Sequence, residues 1–117
     1  MIAGIGVDIV SVERIKKLYE KFNMRFLNRV FNEREIHYCF RHSNPFPHLA
    51  ARFAAKEALI KAFRKSAGLR LKDIEIISNV DGSPDIVLPE AFRERIFLSI
   101  SHEQNHAIAF VVVSNEN

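Results

Sequence analysis

The chain has one cysteine and only four glycines, and these low counts exclude several classes of protein. Cys39 is the only cysteine, so the chain cannot form an intrachain disulfide or a zinc site built on a cluster of thiolates. Between Tyr38 and Phe40, it is expected to be a small buried apolar residue rather than a catalytic thiol. Four glycines form neither a P-loop nor a complete G-x-G-x-x-G motif, which argues against ordinary nucleotide hydrolysis.

Long apolar runs are also missing. No stretch of about 18 apolar residues occurs, so no membrane-spanning helix is expected. Charges follow rather than precede the first apolar segment, the reverse of a secretory signal peptide, and we expect a cytosolic protein. The apolar content of 48% is enough for one small core, and the length of 117 residues favours a single domain over 1–117.

Hydrophobic patterning predicts one strand, then helices, then a run of strands. The first predicted elements are a strand over 2–10, a helix over 12–22 capped by Ser11 and a short helix after Asn23. A capping box of Asn32 and Glu35 opens a further helix that ends near Phe40, and a long helix runs from Pro47 to about Lys65, closed by Ala67 and Gly68. The remaining elements are a hairpin around Asp81 and Gly82 and strands over 96–102 and 106–113. This order predicts an α+β fold with a mainly antiparallel sheet packed against the long helix.

Two carboxylates in apolar surroundings are the main candidates for chemistry. Asp8 lies inside the first strand, where Gly4 and Gly6 indicate a kink or a close approach of another backbone. Glu57 lies on the long helix among small apolar residues. Each has an ordinary interpretation: Asp8 pointing to water or paired with an arginine, and Glu57 in an intrahelical salt bridge with Lys61. Together they suit a hard cation such as Mg²⁺, which indicates phosphate chemistry.

A third feature is "LSISHEQNHAIAF", where His102 ends one predicted strand. Such a histidine is most often structural, and it would need neighbours to act as a phosphate donor or a proton carrier. The five histidines include no H-E-x-x-H zinc motif, and no G-x-S-x-G nucleophile elbow is present.

Four stretches in order carry a resemblance that spans nearly the whole chain: "GIGVDIVSVERI" at 4–15, "RFAAKEALIKAF" at 52–63, "DIEI" at 73–76 with the following "DGSP", and "LSISHEQNHAIAFVVV" at 98–113. They resemble the small holo-[acyl-carrier-protein] synthase type of 4′-phosphopantetheinyl transferase. That resemblance implies Mg²⁺-dependent transfer of 4′-phosphopantetheine from coenzyme A to a serine of apo acyl carrier protein in fatty acid biosynthesis, with release of adenosine 3′,5′-bisphosphate.

The resemblance also implies roles for individual residues. Asp8 and Glu57 correspond to the metal ligands. Lys61 becomes a phosphate contact or a proton acceptor, and the phosphate role is favoured because a lysine beside a dianion tends to stay protonated. His102 is implied to contact the coenzyme or to shape its pocket, and Arg52 and Lys56 are further candidates for its basic lining.

Assembly and docking follow from the same resemblance. Members of this family usually form trimers with active sites between subunits, so the metal ligands and His102 are expected to come from different chains. The basic first helix is expected to dock the acidic carrier protein through Arg14, Lys17, Lys21 and Arg25, the alternative being an ordinary solvated helix face.

One stretch departs from the family pattern. The family commonly has "GTG" after the lysine of its long helix, whereas here Phe63 leads into "RKSAGLRLKDIEI". Arg64, Lys65 and Ser66 are therefore expected either to contact phosphates in place of that loop or to extend the helix.

Two other functions remain open. A non-catalytic basic module binding an acidic protein would explain the basic helix but not the two carboxylates. An Mg²⁺-dependent phosphohydrolase of a nucleotide-like substrate would use water in place of the serine. Nucleic acid is disfavoured because the aromatic residues fall in apolar stripes instead of among the basic residues.

Overall fold

A computed structural model of the chain describes residues 1–63 and 69–115. The elements are β1 (Ile2–Ser11), α1 (Val12–Phe22), α2 (Met24–Val30), α3 (Glu33–Phe40), α4 (Phe46–Ala62), a 3₁₀ turn (Leu71–Asp73), β2 (Glu75–Ser78), β3 (Pro84–Val87), β4 (Arg95–His102) and β5 (His106–Ser114). They confirm the predicted α+β class. Of the helices in the described ranges, none combines the length and apolar character needed to cross a bilayer.

Every strand pairing is antiparallel within the described residues. Three strands form a sheet in the order β1-β5-β4, and β2 pairs with β3 as a separate hairpin. Gly82, with φ of 87°, makes the tight turn of that hairpin, as the Asp81-Gly82 pair predicts. These pairings agree with the mainly antiparallel sheet that the hydrophobic pattern predicts.

Helix α4 lies on one face of the three-stranded sheet, and two glycines of β1 allow it to lie very close. A Cβ atom on Gly4 would collide with the carbonyl oxygen of Ala62, and one on Gly6 with that of Ala58. The predicted close approach of a second backbone is therefore confirmed. Strand alternation turns Asp8 toward the same face as these glycines, because its position shares their parity.

The opposite face of the sheet is apolar but not covered by the described chain. Ile5, Val7 and Ile9 alternate with the buried positions of β1, and Ile108 and Phe110 do so on β5. All five side chains are exposed. A contiguous apolar surface of this kind on a small protein marks an interaction site.

Local capping sequences place the helices where they were predicted. The Ser11 hydroxyl accepts a hydrogen bond from the Arg14 backbone N–H, which caps α1. Asn32 and Glu35 exchange the two bonds of a capping box at the start of α3. The end of α4 differs from the prediction: the helix stops at Ala62, and the predicted closing residues lie outside the described chain.

A buried ion pair joins four elements of the core. Lys56 Nζ on α4 donates to Glu35 Oε1 on α3 and to the carbonyl oxygen of Val30 at the end of α2, both at 2.6 Å. Glu35 Oε2 accepts from the backbone N–H of Ile76 on β2 at 3.0 Å. The side chains of Lys56 and Glu35 are 0% and 1% exposed, so the pair is enclosed by protein.

Candidate active site

The carboxylate of Asp8 lies between β1 and α4 and is paired with a lysine. Its side chain is 17% exposed, and its Oδ1 accepts a hydrogen bond from Lys61 Nζ at 3.0 Å. Lys61 also donates to the backbone carbonyl of Val7 at 3.1 Å. Asp8 thus has a positively charged partner supplied by the helix that packs on its strand.

Glu57 lies one helical turn before Lys61 and is partly buried. Burial, and then the negative charge of Asp8, raise the pKa of Glu57, while Lys61 and Arg14 oppose that rise. The effect of Asp8 means that the two carboxylates lie within electrostatic reach of each other. Lys61 forms its ion pair with Asp8, so the alternative of an intrahelical salt bridge between Glu57 and Lys61 is not the arrangement observed.

These carboxylates fit a cation that takes few protein ligands. Within residues 1–63 and 69–115, no group of three or more histidine, cysteine, aspartate or glutamate side chains comes together to hold a metal ion. Mg²⁺ is commonly held by one or two carboxylates, with waters and substrate phosphates completing its coordination. A donor set of two carboxylates therefore suits Mg²⁺ and not a metal site enclosed entirely by protein.

A histidine cluster forms a second candidate site. His102, at the end of β4, packs edge-on against His48 with ring centroids 5.2 Å apart. His48 in turn stacks on His42 at 3.7 Å. The Nδ1 atom of His42 lies 3.1 Å from the carbonyl oxygen of Tyr38, which assigns the proton to Nδ1 as the donor. His42 therefore presents its Nε2 atom to other partners.

Arg52 contributes a buried cation to this histidine cluster. It is only 6% exposed, its guanidinium lies 4.2 Å from the ring centroid of Tyr38, and its Nε has no hydrogen-bond partner among the residues that the structure describes. Burial is the largest of the effects that lower the pKa of His48 to about 4, and the neighbouring His42, His102 and Arg52 contribute to the same lowering. No carboxylate contributes to that shift. An unpartnered buried donor among groups that repel positive charge is a setting suited to an anion.

The residues predicted to bind the coenzyme lie in different parts of the structure. Arg52 and His102 come together in the histidine cluster. Lys56 does not: its ammonium is enclosed with Glu35, which argues against its predicted place in the pocket lining. Arg64 and Ser66 lie outside the described residues, as does Lys65.

Sequence reasoning missed two members of the cluster, His42 and His48. The spacing of His48 and Arg52, four residues apart on α4, was an available signal because such residues share a helix face. His42 belongs to the segment between α3 and α4, and nothing in its local sequence indicates the stacking.

The carboxylate pair and the histidine cluster lie on different sides of α4. Nine residues separate His48 from Glu57, and nine separate Arg52 from Lys61. At about 100° per residue each pair is rotated by about 180° around the helix axis, with a rise of about 13 Å. One chain therefore presents two half-sites that face in opposite directions.

The predicted docking residues lie on the outer surface of α1 and the start of α2. Arg14, Lys17, Lys21 and Arg25 are all exposed. Phe22 is 39% exposed and lines a groove of about 260 Å³ together with Leu18, Arg25, Phe26 and Arg29. The surface is accordingly mixed, with an apolar groove beside basic side chains.

Comparisons with known proteins agree with these features. The sequence pattern of the 4'-phosphopantetheinyl transferase superfamily matches residues 4–111. The chain is 63% identical over 114 residues to a holo-[acyl-carrier-protein] synthase of Thermodesulfovibrio yellowstonii, covering 97% of this chain and 100% of that protein. It is 43% identical to a synthase of the same name from Ehrlichia canis, covering 100% and 98%.

Solved structures show the same fold. A holo-(acyl-carrier-protein) synthase from Bacillus anthracis in complex with CoA (3',5'-ADP) superposes with a TM-score of 0.86 at 34% identity, over 98% of this chain and 99% of that one. A Helicobacter pylori holo-[acyl-carrier-protein] synthase in complex with coenzyme A gives 0.81 at 37% identity, over 94% and 99%.

Proposed function

Because the chain belongs to the 4'-phosphopantetheinyl transferase superfamily, we propose that it is a holo-[acyl-carrier-protein] synthase. It transfers 4′-phosphopantetheine from coenzyme A to a serine of apo acyl carrier protein and releases adenosine 3′,5′-bisphosphate. The observation that carries the proposal is the position of Asp8 and Glu57, two coupled carboxylates on β1 and α4, inside the matched family region.

The metal is part of the proposal. Asp8 and Glu57 would hold Mg²⁺, supported by their mutual electrostatic effect. The chemistry that a bound Mg²⁺ supplies is neutralisation of the negative charge that grows on the leaving phosphate. The serine oxygen bonds to the phosphorus that carries pantetheine, and the bond from that phosphorus to the bridging pyrophosphate oxygen breaks.

The basic residues bind the phosphates of the coenzyme. We assign Lys61 to a phosphate contact, because its side chain is 55% exposed and can reach a ligand. The histidine cluster with Arg52 would bind the coenzyme phosphates that Lys61 does not contact. The support for this assignment is the buried Nε of Arg52, which has no hydrogen-bond partner among the described residues. Arg64 and Ser66 stay in the proposal on the sequence alone, as phosphate contacts in place of the family's "GTG" loop.

We further propose a homotrimer with active sites between subunits. The exposed apolar face of the three-stranded sheet is one support, because a second copy would remove it from water. The other is the opposite orientation of the carboxylate pair and the histidine cluster around α4. A coenzyme that contacts both half-sites is more easily accommodated between two chains than on one.

Carrier docking is assigned to the basic surface of α1 and α2. Arg14, Lys17, Lys21 and Arg25 would attract an acidic carrier, and the groove beside the exposed Phe22 would take an apolar side chain of it. A role in fatty acid biosynthesis and a cytosolic location complete the proposal. The location is supported by a lone, buried cysteine, whose thiol has its pKa raised to about 11 by burial.

Mass spectrometry of the carrier tests the reaction directly. Incubation with coenzyme A, Mg²⁺ and an apo carrier protein should add the phosphopantetheine mass to the carrier, and a chelator should prevent it. Asp8→Ala and Glu57→Ala proteins that remain folded should lose nearly all transfer, whereas Glu90→Ala, an exposed carboxylate in a turn, should keep it.

The alternatives give different products in the same assay. A phosphohydrolase would cleave coenzyme A without modifying the carrier, and a binding module would leave both unchanged. Full transfer by either the Asp8→Ala or the Glu57→Ala protein would remove the metal assignment.

A further inference from the structure

Lys61 lies where the proposed metal would bind. Its ammonium contacts Asp8 Oδ1 at 3.0 Å and the carbonyl oxygen of Val7 at 3.1 Å, both oxygen atoms of the kind that Mg²⁺ prefers. A lysine ammonium and a divalent cation bound to the same carboxylate repel each other, so each weakens the binding of the other.

We propose that Lys61 is a displaceable substitute cation: it occupies Asp8 in the free protein and moves to a coenzyme phosphate when the metal and coenzyme bind. The inference rests on the proposed function, since it takes Asp8 as a metal ligand. It assigns Lys61 an additional positioning role before the reaction, separate from its phosphate contact during it.

The mobility that this exchange requires is consistent with the exposure of Lys61. Its side chain is 55% exposed, whereas Asp8 is 17% exposed, so the lysine can leave its partner without disturbing the packed strand. A flexible four-carbon stem also allows the ammonium to reach different partners from one backbone position. Nothing in the core has to move for the exchange.

In the free protein, the ammonium of Lys61 reduces the repulsion between Asp8 and Glu57. Asp8 and Glu57 lie within electrostatic reach, so without a nearby positive charge their mutual repulsion is not offset. Lys61 offsets it, at the cost of competing with the metal. A coenzyme phosphate that accepts Lys61 relieves this competition, so coenzyme and metal should each strengthen the binding of the other.

Direct metal binding without coenzyme tests the inference independently of activity. The probe is Mn²⁺, whose free concentration is measured by electron paramagnetic resonance during titration of the full-length protein. Lys61→Met should bind Mn²⁺ about fivefold more tightly than the native chain, the factor expected from removing one competing exposed ion pair. Lys61→Arg, which keeps the charge, should bind like the native chain.

Two controls separate competition from general charge effects and from failure of the metal site. Lys16→Met removes an exposed positive charge on α1 and should leave Mn²⁺ affinity unchanged. Asp8→Asn should remove Mn²⁺ binding, and native affinity in that variant would show that the proposed metal site itself is wrong. If Asp8→Asn loses binding but Lys61→Met binds no more tightly than the native chain, the substitute-cation role alone is overturned. Absence of measurable Mn²⁺ binding to both native and Lys61→Met proteins would overturn it equally.

Discussion

Replacing Lys56 by methionine should destabilise the protein severely without affecting the coenzyme site. The substitution removes the ammonium that Glu35 Oε1 accepts from at 2.6 Å and leaves the carboxylate 1% exposed. Glu35 would keep the backbone N–H donors of Asn32 and Ile76, but no positive charge would balance it.

The magnitude follows from the burial of both partners. Removing one partner of a buried ion pair costs about 3–5 kcal/mol, because the remaining charge stays desolvated. Domains of this size have a free energy of unfolding of about 5–15 kcal/mol, so Lys56→Met should remove a large part of it. With a urea m-value of roughly 2 kcal/mol/M, the unfolding midpoint should fall by about 2 M.

The assay is urea unfolding at pH 7 and one fixed protein concentration, since the proposed assembly would make stability depend on concentration. The double variant Lys56→Met with Glu35→Gln should be more stable than Lys56→Met alone, because no unpaired charge remains. Lys56→Met protein kept folded in the cold should bind coenzyme A with native affinity.

A different outcome would refute this reasoning. If Lys56→Met costs less than about 1 kcal/mol, the pair is not the buried interaction described here. If the folded variant instead loses coenzyme A affinity, Lys56 belongs to the pocket lining after all.

Four further changes have defined outcomes. Gly6→Ala should lower the free energy of unfolding by about 1–3 kcal/mol in urea titrations, because its Cβ would collide with the carbonyl of Ala58. As the pH falls from 6.5 toward 4, His48 takes up a proton in the unfolded chain but not in the folded one, so the free energy of unfolding should decrease over this window. Urea midpoints at pH 7 and pH 5 should show a smaller decrease in His48→Gln than in the native chain. Lys17→Glu should raise the KM for carrier protein but not for coenzyme A, with a smaller effect in high salt. Ile5→Lys, on the exposed sheet face, should convert the proposed trimer to smaller species in light scattering and abolish transfer.

Matched variants identify the cause of each effect. Gly82→Ala meets open space and should cost only the strain of its φ of 87°, about 1 kcal/mol; a Gly6→Ala protein as stable as the native chain would contradict the close helix approach. Lys72→Glu should leave the KM for carrier unchanged. Val80→Lys, at a fully exposed turn, should preserve the native size, and an Ile5→Lys protein of native size would remove that face from the assembly.

Sequence was sufficient wherever structure depends on neighbouring residues. The start of α1 at Ser11, the capping box of Asn32 and Glu35, and the hairpin at Asp81 and Gly82 were all predicted. In each case the stabilising group and the backbone it stabilises lie within about four residues, so the pattern is visible in the chain itself.

The candidate site was only partly predictable. The apolar context of Asp8 and Glu57 indicated that they act together, and the structure brings them within electrostatic reach; their role as metal ligands stays a prediction. The end of α4 was predicted too far along, because Phe63 is a good apolar continuation of the helix pattern although its backbone is extended.

Tertiary structure alone determined which lysine of α4 is buried and which remains accessible to a ligand. Lys56 and Lys61 lie five residues apart on one helix, yet Lys56 is enclosed by Glu35 and Lys61 reaches Asp8 near the surface. The sequence showed that both are lysines on α4, but their partners are 21 and 53 residues away along the chain. Burial and ion pairing depend on which elements pack against each side of the helix, and that information is not contained in local sequence.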